Sequence, residues 1–148
     1  MITEETRKRL EAGHDKKRAR CIEGYRNRRK EAGEEPTNCI FNVTIPKFVT
    51  YESKSGSLET DENIKVITDL FDKYGIEWQS VDTVEGSFNL NRDWIETTTD
   101  IPCYIEYCGV YPVDWSSEDC RTLEKLDYQG KVIINVMYHI DGKYIPNH

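Results

Sequence analysis

Polar and apolar positions divide the chain near residue 35. Ahead of that point the only large apolar residues are Met1, Ile2, Leu10, Ile22 and Tyr25, and all three alanines (Ala12, Ala19, Ala32) fall here. Alanine and long charged residues are good helix formers, and Thr3 followed by Glu4 and Glu5 makes an N-cap with acids in the first turn. The pattern predicts a helix over 4–31, weakened at Gly13 and Gly24, with a stop and short linker at Gly33 to Pro36. No wide apolar stripe runs along it. Such a helix is expected to project into solvent or to become ordered on meeting a partner.

Beyond residue 35 the period changes. Cys39, Phe41, Val43 and Ile45 alternate with Asn38, Ile40, Asn42 and Thr44, a half-buried strand that Pro46 interrupts, with Lys47 to Tyr51 as its continuation. Thr60 reads as an N-cap for a helix carrying Ile64, Ile67, Leu70, Phe71 and Tyr74, with Gly75 as its stop. Ile76 to Val84 reads as a strand turned back at Glu85-Gly86 into Ser87 to Asn91, and Asp93 to Asp100 as a short turn around Trp94. Pro102 to Cys108 is strand-like and Gly109 to Trp115 a loop. Ser116, with Asp119 three positions on, caps a helix holding Cys120, Leu123 and Leu126. Val132, Ile134, Val136, Tyr138 and Ile140 form one strand face, and Asp141-Gly142 turns the chain into a hairpin. Together these elements predict an α+β fold. An N-terminal basic helix precedes a mixed or antiparallel sheet with two helices, in the ferredoxin-like β-α-β-β-α-β order.

Charge sharpens the division into an arm, 1–35, and a body, 36–148. Between residues 6 and 30, Arg7, Lys8, Arg9, Lys16, Lys17, Arg18, Arg20, Arg26, Arg28, Arg29 and Lys30 face only Glu11, Asp15 and Glu23. The body holds 9 basic and 19 acidic residues, net -10, inside a chain of 148 residues and formal charge -7. A basic arm on an acidic body suggests nucleic acid or a nucleic-acid-binding complex as partner, those eleven cations being the candidate contacts. A solvated tail and a helix docked on its own acidic body are the alternatives. Tyr104, Tyr107, Tyr111 and Trp115, near Asp114, Glu118 and Asp119, suggest an acidic, aromatic protein interface.

Catalytic and cofactor signatures are sparse. Neither phosphate-loop motif occurs, nor does G-x-S-x-G, so no cofactor is expected. Five cysteines without a C-x-x-C give little support to zinc. Cys103, Cys108, Cys120 and His139 are the conceivable ligands, and His139 with one of those thiols is the conceivable enzyme site. Glu52-Ser53-Lys54 and Asp141-Gly142-Lys143 match a metal-nuclease triplet only superficially. No apolar run approaches the roughly 18 residues of a membrane span and no signal peptide opens the chain, so a cytoplasmic protein is expected.

In overall layout, a basic helical arm from Arg7 to Lys30 ahead of a compact acidic α/β body from Pro36 to His148, the chain resembles small phage-encoded inhibitors of nucleic-acid enzymes, the anti-CRISPR proteins among them. The resemblance is one of architecture and carries no residue correspondence. It implies a non-enzymatic binder of a Cas-type nuclease or its guide RNA. An autonomous DNA- or RNA-binding accessory protein and a small Cys/His enzyme are the other expectations.

Overall fold

A computed structural model describes residues 2–46, 61–81, 93–107 and 109–146. The chain runs α1 (Glu4–Glu31), β1 (Thr37–Thr44), α2 (Glu62–Lys73), β2 (Trp78–Val81), β3 (Trp94–Thr97), β4 (Ile101–Glu106), β5 (Gly109–Pro112), α3 (Ser117–Tyr128), β6 (Ile133–Ile140) and β7 (Lys143–Pro146). It is an α+β fold built on an open antiparallel sheet. The predicted strand at Lys47 to Tyr51, the turn at Glu85-Gly86 with Ser87 to Asn91, Glu52-Ser53-Lys54, Cys108 and His148 lie outside the described residues.

The caps of the described helices follow from local chemistry. The Thr3 hydroxyl accepts the Thr6 N–H at 3.1 Å, and the Ser116 hydroxyl accepts the Asp119 N–H at 3.1 Å. At α2 the cap is Asp61, not Thr60: its carboxylate accepts the N–H groups of Asn63 and Ile64, adding charge to the cap.

β1 is the central strand. On one edge it pairs with β6 from Asn38↔His139 to Thr44↔Ile133, and β6 continues to β7. That hairpin turns at Asp141 and Gly142, whose φ values of 51° and 80° are the pair a type I′ turn requires. On the other edge β1 meets β3 at Val43↔Ile95 and Asn42↔Glu96, then β4 at Cys39↔Ile101 through Thr37↔Cys103. Between those pairings β1 advances three residues and its partner five. β3 and β4 are therefore one strand direction broken by a two-residue bulge, and the Thr97 hydroxyl accepts the Phe41 N–H where the ladder is interrupted.

Two expectations change here. Trp94 starts strand β3, paired with β2, and is not the centre of a turn. Gly109 to Pro112 is strand β5, closed onto β4 by a two-residue connection, and is not loop. Its glycine and proline hid a strand that β4 stabilises by pairing. The element order also departs from β-α-β-β-α-β. The described order adds β5 and β7 to that pattern and divides the strand beside β1 into β3 and β4.

The core lies on one face of the sheet, where Phe41, Val43, Ile95, Cys103 and Val136 meet Ile64, Ile67 and Phe71 of α2 and Cys120 and Leu123 of α3. Ile22 of α1 belongs to the same core and is fully buried. The helix expected to reach away from the body is thus docked on it, chiefly against α3. Among the described residues, no helix is long and apolar enough to cross a membrane.

Candidate functional site

The docked side of α1 is a narrow seam. Asp15, Ala19, Ile22, Arg26 and Arg29 recur at intervals of four and three residues, which holds them on one side of a helix turning about 100° per residue. Of these only Ala19 and Ile22 are apolar, with Tyr25 packed beside them against the core; the other contacts are polar. Arg18 binds Glu124 of α3 through Nε at 2.8 Å and Nη2 at 2.9 Å, and Nη2 also donates to the Tyr111 hydroxyl at 2.8 Å. Asp15 accepts from Arg121 at 3.0 Å and from Lys125 at 2.7 Å, and Glu11 pairs with Lys125 at 2.6 Å. Arg29 pairs with Glu34 and Glu106 and donates to the Ile105 carbonyl. Arg26, 7% exposed, donates to the carbonyls of Pro112 at 2.7 Å and Trp115 at 2.6 Å.

These contacts set the ionisation of the groups. Burial opposes the Glu124 carboxylate, yet bonds from Arg18, Tyr111 and Arg121 hold its pKa below the ordinary value. Asp15 behaves alike: burial raises it, while Lys125 and Arg121 together bring it below normal. The bond to Glu124 drives Arg18 upward. The seam is a charge-paired contact, and Arg18, Arg26 and Arg29, expected to meet a partner, are committed to the protein itself.

Tyr111 depends on a glycine. A Cβ added at Gly109 would lie 2.9 Å from the Tyr111 hydroxyl oxygen and 3.0 Å from its ring carbons, displacing the ring from Glu124, which it now meets at 2.6 Å. Gly109→Ala should therefore destabilise the protein by about 1–3 kcal/mol. Urea unfolding checks this, and an unchanged midpoint would refute the close approach.

The other cations face away. Arg9, Lys16, Lys17, Arg20 and Arg28 are exposed and fall within an arc of about 120° opposite the seam. Glu31, at its C-terminal end, is the one acid in that arc. Among the described residues no carboxylate pairs with any of these five cations; Arg28 lies 5.1 Å over the Tyr25 ring. The strip from Arg9 to Arg28 is about 28 Å long at 1.5 Å per residue. Arg7, Lys8 and Lys30 are also exposed but lie outside the arc, and Arg7 is 4.0 Å from Glu4.

The expected aromatic interface does not assemble. Tyr104, Tyr111 and Trp115 are buried at 4%, 1% and 3% exposure, and Trp115 stacks on Tyr74 with centroids 4.9 Å apart. Only Tyr107 is fully exposed. Asp119, expected on that surface, is tied to Lys73 at 2.7 Å and Tyr74 at 2.5 Å.

Among the described residues the Cys/His couple is separated by the sheet. β1 pairs Cys39 with Tyr138 and Asn38 with His139, so His139 points away from the face that buries Cys39 and Cys103. His139 Nδ1 instead lies 3.3 Å from Asp100, whose other oxygen accepts the Tyr144 hydroxyl. Burial pushes the Cys103 thiol well above its ordinary value and the Cys120 thiol up to about 12, opposite to what a nucleophile needs. Arg121, Glu124 and Lys125, the body's half of the seam, were not singled out by sequence reasoning. Their signal is a charge pattern on α3 complementary to that of α1.

No protein-family model matches the chain, and neither a curated protein nor a solved structure matches it.

Proposed function

We propose that this is a non-enzymatic binding protein that engages a nucleoprotein, the outer strip of α1 meeting phosphates. The observation that carries the reading is the segregation of charge around α1. On the docked side Arg18 and Arg29 are paired with carboxylates and Arg26 is held by backbone carbonyls, while Arg9, Lys16, Lys17, Arg20 and Arg28 stay exposed on the opposite side. A helix that only needed to dock would gain nothing from those five. The strip stands about a helix diameter, 10 Å, from the acidic body. That exceeds the screening length of about 8 Å at physiological salt, so the body's charge does not cancel the strip's local attraction. The net -10 of the body does disfavour long free polyanions, and so favours a partner that also offers protein surface. Inhibition of a nuclease complex, as the anti-CRISPR-like layout suggests, would follow from covering its nucleic acid.

The test is charge reversal on the strip, R9E/K16E/K17E/R20E, in the full chain. Capture of nucleoprotein from nuclease-free lysate should fall by at least tenfold with the melting temperature unchanged. Wild-type binding should weaken by about 0.9 log unit per phosphate contacted for each tenfold rise in salt on duplex DNA. Unaltered capture by the quadruple variant would end the proposal. A wild-type mobility shift on free nucleic acid at physiological salt would point to autonomous binding.

A further inference from the structure

A recess of about 590 Å³ opens between α3, β6, the β4–β5 hairpin and the docked side of α1. Phe41, Leu123, Ile134 and Val136 contribute apolar lining. Tyr107, at the hairpin tip, and Tyr128, at the end of α3, also line it and are 104% and 85% exposed. Two aromatic side chains left in water beside an apolar recess with polar surroundings have the make-up of a contact site.

Charge decides the occupant. Three carboxylates line the recess. Glu124 is neutralised by Arg18 and Arg121, and Glu106 by Arg29. Among the described residues the Asp127 carboxylate accepts the Ile134 N–H alone, at 3.4 Å, and no cation lies within ion-pair reach of it. Partial burial pushes its carboxyl above the ordinary range, which an arriving cation would reverse. Of the basic lining residues, Arg18 and Arg121 are already committed to Glu124 and His14 is the one imidazole, so an incoming phosphate would find one open anion and no open guanidinium.

We infer that the recess receives an arginine or lysine side chain from a basic segment of a partner protein. The aliphatic stem lies along the apolar lining, the cation meets Asp127, and Tyr107 and Tyr128 flank it. The acidic body adds long-range attraction for such a segment. This surface is separate from the outer strip of α1, so either can fail without the other.

The experiment titrates the full chain, followed by two-dimensional NMR, with a blocked hexapeptide of alternating arginine and glycine. Its citrulline counterpart serves as a neutral isostere, and guanosine monophosphate as a nucleotide probe. The arginine peptide should give saturable shifts centred on Tyr107, Asp127, Tyr128 and Ile134. Asp127→Asn and the double variant Y107A/Y128A should each weaken it about tenfold, equivalent to about 1.4 kcal/mol. The citrulline peptide should bind correspondingly less tightly. Equal affinity of the two peptides, undiminished binding by D127N, unsaturable shifts spread over the body, or guanosine monophosphate occupying the recess in place of the arginine peptide would each overturn the assignment.

Discussion

A chain shortened to residues 34–148 is expected to lose its cooperative fold. Removing α1 takes Ile22 out of the core, and burying an isoleucine is worth about 1.5–3 kcal/mol. It withdraws Arg26 from two buried carbonyls and leaves Glu124, Arg121 and Lys125 of α3 without their partners across the seam. It also uncovers the side of α3 that α1 shields. A small domain has only about 5–15 kcal/mol in total, so losses of this size consume much of it. The measurement is thermal unfolding by circular dichroism with a hydrophobic dye as second probe. A shortened chain that melts cooperatively near the full-length midpoint would show that α1 is dispensable. The same reasoning explains why deletion is the wrong test of binding: lost capture would report lost structure. Reversal of outward charges leaves the seam intact and isolates the surface.

Arg26→Met should cost about 2–4 kcal/mol. The Arg26 guanidinium is nearly buried, and the carbonyls of Pro112 and Trp115 are what hold it. Those carbonyls belong to the segment that carries the chain from β5 into α3, so one side chain fastens α1 to the start of another helix. Methionine keeps the stem's packing and relieves the cost of burying a charge, an offset that limits the loss. It cannot donate, however, and each buried carbonyl left unpaired costs about 1–3 kcal/mol. Urea unfolding of the variant gives the value. A loss below about 1 kcal/mol would mean that water reaches these carbonyls and that the clamp is not structural.

Much of the framework was readable along the chain. Thr3 and Ser116 cap the helices they were expected to cap, Ile64, Ile67, Leu70 and Phe71 of α2 are buried, and Asp141-Gly142 makes the hairpin. These are local matters, decided within a few residues by hydrogen-bond donors, side-chain period and permitted φ. β5 escaped because Gly109 and Pro112 are poor strand formers, and only pairing with β4 makes them one. The division of one strand into β3 and β4 escaped because the bulge between Thr97 and Ile101 puts two strands on one edge of β1.

The arm shows the division most clearly. Its helix, its limits and its excess of cations were decided by composition alone. Whether those cations faced a partner or the protein itself was not, because α1 has no apolar stripe to announce docking. The five positions Asp15, Ala19, Ile22, Arg26 and Arg29 keep a seam's spacing, but three of them carry charge. A charged residue can belong to an interface only if its counter-charge arrives from elsewhere. For Arg18 that partner is Glu124, 106 positions away. Linear order does not encode that distance; packing α1 onto α3 does, and the same packing leaves the outer strip of α1 and Asp127 facing water.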